Sequence, residues 1–213
     1  TQYSDTMTQQ KGSSQQVRII GGKWRGQKLR FSGDASLRPT LGRTRETLFN
    51  WLRPVIREAR CLDAFAGSGI LGFEALSQGA ASAVFIDQNP QTTRSLAASA
   101  EKLNAQTQCE VIKTDFFAYL RRTTATFDIV FLDPPFSQPQ LLNQALTQLN
   151  QNPTPAEYIY AESKSLEVLT WAAQSTGWAI YKQTQTGNTT GALLTPDLQH
   201  GDTKDKIRVR NNT

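Results

Sequence analysis

Short apolar runs alternate with segments of helical spacing along most of this chain. The runs are rich in β-branched and aromatic residues and cover residues 61–65, 83–87, 109–113 and 127–133. Helix-like segments, in which apolar residues recur every three to four positions, lie between them at residues 70–78, 90–105 and 116–122. This alternation predicts an α/β fold in which crossover helices join parallel strands.

Three later apolar runs, at residues 158–162, 178–183 and 191–194, complete the predicted sheet. The last two are separated by a polar stretch of Thr, Gln, Gly and Asn that is too short for a crossover helix. They should therefore pair antiparallel, which makes the sheet mixed.

The amino-terminal part has a different pattern. Residues 16–31 contain two short apolar or alternating runs around Gly21 and Gly22, which predicts a β-hairpin, and residues 42–52 have helical spacing. We divide the chain into four predicted parts. They are a flexible polar lead at 1–16, a basic hairpin and helix at 17–53, the main α/β domain at 54–195 and a flexible tail at 196–213.

Composition narrows the class of protein. No window approaches the roughly 18 uninterrupted apolar residues of a membrane span, and the polar residues 1–16 lack the apolar stretch of a secretory signal. We expect a cytoplasmic monomer with no membrane partner. Cys61 and Cys109 each open an apolar run, where a small buried thiol is the usual interpretation.

Basic residues are concentrated near the amino terminus. Residues 1–60 hold twelve Lys and Arg against four Asp and Glu, whereas residues 61–213 hold eleven against fourteen. The net charges of these two parts are therefore +8 and −3. Such an asymmetry is typical of a polyanion-binding extension on a near-neutral body, although a basic surface without a ligand would have the same composition.

A glycine-rich turn follows the first apolar run of the main domain. Gly67, Gly69 and Gly72 permit a tight turn and bring the backbone close to a nucleotide-like ligand at the start of a helix. Dinucleotide dehydrogenases share this spacing, and Asp87, at the end of the next run, suits a ribose in either class. Asp63 distinguishes a dinucleotide site from an S-adenosylmethionine site, because a carboxylate there repels a pyrophosphate but attracts an ammonium group. The pattern favours S-adenosylmethionine.

Asp115 follows the third apolar run. Its carboxylate could accept a hydrogen bond from an adenine amino group, or it could cap the helix that starts at Phe116. The sequence favours neither role.

A second motif, Asp-Pro-Pro-Phe at residues 133–136, ends the fourth apolar run and should face the same crevice as the glycine turn. The Asp133 carboxylate and the Pro134 carbonyl can hold both hydrogens of an exocyclic amine. Phe136 can stack on an unstacked base. The structural alternative is a strand that ends in a proline-rich turn beside a core phenylalanine. We expect no metal, because the only histidine is His200, in the tail.

These motifs resemble the RsmD family of bacterial small-subunit ribosomal RNA guanine-N2 methyltransferases over about residues 17–194. The narrower part of the match is amino-terminal, in residues 18–26 (Arg-Ile-Ile-Gly-Gly-Lys-Trp-Arg-Gly), 37–40 (Leu-Arg-Pro-Thr) and 43–52 (Arg-Thr-Arg-Glu-Thr-Leu-Phe-Asn-Trp-Leu). The resemblance implies the seven-stranded Rossmann-like sheet of class I S-adenosylmethionine methyltransferases with an amino-terminal hairpin. It also implies that the acceptor is one guanine of 16S ribosomal RNA in an assembled small subunit.

Carried over by matching motifs, the resemblance also implies a set of functional residues. The predicted catalytic residues are Asp133, Pro134 and Phe136. Predicted cofactor contacts come from Asp63, Phe65, Gly67, Gly69, Asp87 and Asp115. Predicted RNA contacts come from Arg18, Lys23, Arg25, Arg38, Arg43 and Arg45. At position 87 this chain departs from many relatives, which carry Glu there.

Alternatives stay open on the residues alone. Adenine N6, guanine N2 and a protein amide all present an amine to the same acceptor pair, so the choice of guanine depends on the resemblance. A nicotinamide-dependent oxidoreductase would use the glycine turn but gives the Asp133 motif no role. A non-catalytic RNA-binding module would explain the basic residues but not the acidic ones in the crevice.

Overall fold

A seven-stranded sheet forms the centre of the protein in the structure, a computed structural model that describes residues 14–32, 42–135, 137–152 and 156–197. The strands follow the order β5-β4-β3-β6-β7-β9-β8. Their bounds are β3 Arg60–Asp63, β4 Ser82–Asp87, β5 Cys109–Lys113, β6 Ile129–Leu132, β7 Tyr158–Ser163, β8 Trp178–Thr186 and β9 Thr189–Pro196. Strands β3 to β7 pair in parallel, whereas β9 pairs antiparallel with both β7 and β8. The predicted mixed α/β sheet and its antiparallel end are confirmed.

Within the residues that the structure describes, six α-helices cover the two faces of this sheet. They are α1 Gly42–Leu52, α2 Ile70–Ser77, α3 Pro90–Lys102, α4 Phe116–Leu120, α5 Gln140–Gln151 and α6 Leu166–Ser175. Side chains of a strand alternate between faces, so Cys61 joins the apolar cluster under α1, α2 and α3 while Leu62 joins the one under α4, α5 and α6. The architecture is a three-layer α/β/α sandwich.

The predicted hairpin is present as β1 Ser14–Arg18 and β2 Lys28–Ser32, which pair antiparallel. Its inward side chains, Val17, Ile19, Leu29 and Phe31, are buried in the same cluster as α1, α2 and α3. The basic amino-terminal part therefore shares one core with the main domain. Strand β1 takes in the last three residues of the predicted flexible lead, 14–16, and β9 includes Pro196 from the predicted tail. The rest of both end segments lies outside the described residues, except Asp197.

Two helices of the carboxyl-terminal half, α5 and α6, were missing from the sequence prediction. Leu142, Ala145, Leu146 and Leu149 of α5 are buried and follow a spacing of three to four residues. Polar Gln and Asn residues between them obscure the pattern. Within the part of the chain that the structure describes, no helix has the length and apolar character needed to cross a bilayer.

Candidate active site

Parallel strands leave a crevice where the direction of chain progression across the sheet reverses. From β3 the chain proceeds outward to β4 and β5, and it then returns to place β6 on the other side of β3. In open α/β sheets, ligands bind beyond the carboxyl ends of the strands at such a switch point. We define the crevice as the space at the carboxyl ends of β3, β4, β5 and β6. The glycine turn follows β3, and the Asp133 motif follows β6.

The glycine turn adopts a backbone that other residues disfavour. Gly67 has φ 51° and Gly69, the residue before α2, has φ 72°, both in the left-handed region. A Cβ added to Gly69 would lie 2.4 Å from Leu96, and one added to Gly72 would lie 2.3 Å from the Phe85 ring. These glycines let α2 lie directly on the sheet and present its amino terminus to the crevice.

Asp63 ends β3 behind this turn and is only 3% exposed. Its Oδ2 accepts a hydrogen bond from the backbone N–H of Gly72 at 3.1 Å. Burial raises the pKa of Asp63 to about 7, the Gly72 hydrogen bond opposes this shift, and the Asp87 carboxylate adds to it. A cation placed beside Asp63 would favour its ionised form.

Asp87 ends β4 and supports the glycine turn. Its Oδ2 accepts from Gly67 N at 3.1 Å, and its Oδ1 accepts from Asn89 N at 2.8 Å. The shorter carboxylate at this position therefore reaches the turn. Carboxylate oxygens accept more than one hydrogen bond each, so Asp87 can serve the turn and a ligand hydroxyl together.

Asp115, after β5, caps α4. Its Oδ1 accepts from Ala118 N at 2.9 Å and its Oδ2 accepts from Gln88 Nε2 at 3.1 Å. The helix-cap interpretation is confirmed, and the contact with adenine stays a prediction. Beside it, the half-buried Phe65 packs on Phe116 with ring centroids 5.4 Å apart, which adds an apolar wall near the crevice.

The Asp133 motif leaves the sheet next to β3. Phe131 pairs with Asp63, and Ala64 N donates to Phe131 O at 3.1 Å, so Asp133 lies two residues beyond the end of β3. Asp133 is partly exposed and Pro134 is buried. The third predicted catalytic residue, Phe136, lies outside the described residues.

The charge of the crevice fits the predicted cofactor. S-adenosylmethionine carries positive charge on its sulfonium and ammonium groups, and Asp63, Asp87, Asp115 and Asp133 all lie at the carboxyl ends of β3 to β6. The phosphates of a dinucleotide would instead meet like charge. Among the residues described by the structure, no group of His, Cys, Asp and Glu could hold a metal ion.

Comparisons with known proteins identify the family. Residues 17–195 match the family described as "Conserved hypothetical protein 95". The chain is 39% identical over 188 residues to Ribosomal RNA small subunit methyltransferase D of Escherichia coli (strain K12), with 87% of this chain and 93% of that protein covered. The chain belongs to the RsmD family. It is therefore an S-adenosylmethionine-dependent methyltransferase, as predicted.

Solved structures agree with this assignment. The putative methyltransferase yhhF from Escherichia coli has a TM-score of 0.73 and 37% identity, covering 86% of this chain and 99% of that one. A putative SAM-dependent methyltransferase from Streptococcus mutans has a TM-score of 0.69 at 15% identity, covering 85% of this chain and 55% of that one. This second likeness shows the shared fold alone.

One predicted RNA contact of this RsmD-family chain does not fit the structure. Arg45 is 4% exposed, and its Nη1 donates to Arg18 O at 2.9 Å and to Glu74 Oε2 at 3.3 Å. Burial lowers the pKa of Arg45, and the Glu74 carboxylate partly reverses this shift. Arg45 therefore joins the hairpin and α1 to α2, and its guanidinium does not face RNA.

The other predicted RNA contacts differ in where they lie. Lys23 Nζ donates to Gln108 Oε1 at 3.0 Å just before β5, so Lys23 lies at the edge opposite the crevice, in the same hairpin turn as the exposed Arg25. The exposed Arg18 lies on the outer face of the hairpin. Arg38 lies outside the described residues. RNA contact by these residues stays a prediction, and it requires RNA to extend along the protein for about the length of a strand, roughly 17–20 Å.

Arg43 is an exposed basic residue on the crevice side of the sheet. Helices α1 and α2 run in the same direction. Arg45, in the first half of α1, meets Glu74, in the middle of α2. Glu58 N, beyond the end of α1, donates to Gly79 O, beyond the end of α2. Since α2 begins at the crevice, α1 does too. Arg43, the second residue of α1, is therefore close to where a nucleic acid would enter.

Two buried acidic residues were missed from the sequence. Glu74 lies in α2 at the centre of the hairpin contacts, and Glu162 lies in β7 next to the Asp133 motif. Neither residue is marked by a local sequence motif that indicates its role. A charged residue within an otherwise apolar helix or strand was the available signal.

Asp63 should make stability depend on pH. Its folded-state pKa, about 7, is higher than the ordinary value of 3.8, so the native protein binds this proton more tightly than the unfolded chain does. The resulting stabilisation is complete below about pH 4 and is lost as pH rises through about 7. Relative to Asp63→Asn, we expect the free energy of unfolding of the wild type to fall by up to about 4 kcal/mol over this range. Denaturant titrations from pH 4 to 8 measure the free energies of unfolding of both proteins. Parallel pH profiles for the wild type and Asp63→Asn would contradict the prediction.

Proposed function

We propose that this chain transfers a methyl group from S-adenosylmethionine to the N2 amine of a guanine in small-subunit ribosomal RNA. The observation that carries the proposal is the placement of Asp133 and Pro134 beside the glycine turn, on adjacent strands of the switch point. S-adenosylmethionine, when bound, supplies an electrophilic methyl group on a positively charged sulfur.

The acceptor amine is a weak nucleophile, because its lone pair is delocalised into the base. In the proposed role, the Asp133 carboxylate and the Pro134 carbonyl each accept one amine hydrogen and fix the direction of the nitrogen lone pair. As the bond from nitrogen to the methyl carbon forms and the methyl–sulfur bond breaks, the nitrogen gains positive charge, which the nearby carboxylate stabilises until one amine proton is lost to water. Proline at 134 and 135 lacks an N–H, so the turn offers acceptors without competing backbone donors.

The cofactor side of the crevice uses the glycine turn. In the proposed arrangement the backbone at Gly67 and Gly69 approaches the cofactor closely, and Asp63 attracts its ammonium group. Asp87 accepts from the ribose hydroxyls, Asp115 lies near the adenine, and Phe65 contributes apolar surface. The geometry that supports this arrangement is the convergence of all these residues at one edge of the sheet.

The RNA substrate is supported by two observations. A relative covered over 93% of its length is named a ribosomal RNA small subunit methyltransferase, and this chain carries its excess positive charge in residues 1–60. We propose an assembled small subunit as the acceptor and a single copy of the chain as the enzyme. Because bacterial subunits assemble in the cytoplasm, the proposal locates the enzyme there.

Methyl mapping tests the proposal directly. The protein is incubated with labelled S-adenosylmethionine and with either naked small-subunit RNA or subunits that lack the modification, and the methyl is located by nuclease digestion and mass spectrometry. We expect N2-methylguanosine at one position, with subunits a better substrate than free RNA. Label found on adenine N6 or on protein would overturn the assignment of the acceptor.

Arg43 should bind RNA electrostatically. Arg43→Met is expected to weaken binding and to reduce the slope of log affinity against log salt by about 1, the value for one lost phosphate contact. Arg57→Met is the matched control, because Arg57 is exposed and lies next to Gly79 at the opposite edge. Filter binding at salt concentrations from about 50 to 200 mM measures the slopes. Equal slopes for the two variants would argue against the role of Arg43.

A further inference from the structure

Glu162 lies beside the Asp133 motif on the neighbouring strand. Leu132 of β6 pairs with Ala161 of β7, so the next residues, Asp133 and Glu162, are neighbours at the crevice edge. Along β7, Tyr160 and Glu162 are two residues apart and point to the same face of the sheet.

This carboxylate is buried and held in a fixed direction. Glu162 is 5% exposed, Tyr160 is 0% exposed, and the Tyr160 hydroxyl donates to Glu162 Oε1 at 2.7 Å. Gly191, the β9 partner of Glu162, leaves room for the tyrosine, because an added Cβ there would lie 2.6 Å from its hydroxyl oxygen.

Tyr160 also connects Glu162 electrostatically to the Asp133 motif. Burial raises the pKa of Tyr160 well above its ordinary value, and the carboxylates of Glu162 and Asp133 raise it further. The hydroxyl therefore stays protonated and donates to Glu162. Both carboxylates therefore act on the same hydroxyl, and the strand register makes Asp133 and Glu162 neighbours.

We propose that Glu162 is a specificity-determining residue that accepts a hydrogen bond from N1–H of the target guanine. This inference rests on the proposed function. In guanine, N1–H and the N2 amine are adjacent donors, whereas in adenine the ring nitrogen beside the amine is an acceptor. Adjacent strands lie about 4.8 Å apart, a spacing at which two carboxylates can contact neighbouring donors of one base. Glu162 would accept guanine and repel the ring nitrogen of adenine.

The protein partners of Glu162 are compatible with this role. A carboxylate can accept about four hydrogen bonds, so Glu162 can keep the bond from Tyr160 while it binds a base. A charged side chain on a central strand is costly to bury, and recognition of a ligand accounts for its presence at this edge.

The test compares guanine with 2-aminopurine at the target position of a small-subunit RNA that is ligated from fragments and reconstituted into a small subunit. 2-Aminopurine keeps the amine but carries an acceptor at N1. Glu162→Gln should lower kcat/KM on guanine by about 10- to 100-fold and reduce the guanine-to-2-aminopurine ratio by about tenfold or more, because the glutamine amide can donate to N1. The loss of the guanine oxygen affects wild type and variant alike, so it cancels in this ratio of ratios.

Glu167→Gln is the matched control, because Glu167 is exposed in the first turn of α6 and should leave the ratio unchanged. Unchanged unfolding midpoint and unchanged affinity for S-adenosylmethionine show that Glu162→Gln is folded. If Glu162→Gln does not fold, Tyr160→Phe is the second variant. It removes the donor that orients Glu162 and should also reduce the guanine-to-2-aminopurine ratio of kcat/KM. If the wild type is active and the folded variant keeps the same guanine-to-2-aminopurine ratio, the role of Glu162 is overturned and the proposed function is not. If the wild type methylates no guanine, the proposed function itself is overturned.

Discussion

Replacing Asp133 by alanine is expected to lower kcat for methyl transfer by about 100- to 1,000-fold, the usual cost of removing one preorganised group that stabilises transition-state charge. Asp133 follows β6, whereas the proposed cofactor contacts lie at the ends of β3, β4 and β5. We therefore expect the affinity for S-adenosylmethionine to be nearly unchanged. Single-turnover methylation and calorimetric titration with the cofactor measure the two quantities separately.

Asp133→Asn separates charge from hydrogen bonding. The amide keeps one acceptor oxygen but has no negative charge, so its rate should lie between those of alanine and wild type. RNA binding should persist in both variants, since neither substitution removes a basic residue and the exposed basic residues of the hairpin and α1 are unchanged. Near-normal turnover by Asp133→Ala would remove the proposed role of the carboxylate.

Local and consecutive motifs made most of the crevice predictable from sequence. The glycine turn and the Asp133 motif each combine a strand with the turn that ends it, and the switch-point rule brings both to one edge. Asp115 shows the limit of this reasoning. A carboxylate before a helix fits a cap and a ligand contact equally well, and only the hydrogen bond to Ala118 N identified the cap.

Residues whose role depends on packing could not be recognised in the same way. Arg45 lies among exposed basic residues in the sequence, and its burial becomes evident only when α1 packs against α2 and the hairpin. Glu162 acquires its importance from the register between β6 and β7. The roles of Arg45 and Glu162 both depend on contacts between segments that are distant in the sequence. Neither composition nor local periodicity predicts such contacts.

Glu74 is the centre of the contacts that hold the hairpin to the sheet. It is 0% exposed and accepts hydrogen bonds from Ile20 N at 3.0 Å and Gly21 N at 2.7 Å. It also accepts from Arg45 Nη1 at 3.3 Å and from Gln78 Nε2 at 2.9 Å. Removing the arginine would leave a buried carboxylate without its positive counterpart.

Arg45→Met should therefore lower the free energy of unfolding by about 3–5 kcal/mol, the typical cost of breaking a buried ion pair from one side. Arg43→Met makes the same substitution two residues earlier on an exposed side chain and should change stability by less than about 0.5 kcal/mol. Urea denaturation with both midpoint and slope measured gives the comparison. Hydrogen exchange in β1 and β2 should accelerate only in Arg45→Met, because this pair connects the hairpin to α2. Equal losses of unfolding free energy in the two variants would mean that the buried Arg45–Glu74 ion pair stabilises the protein no more than an exposed arginine does.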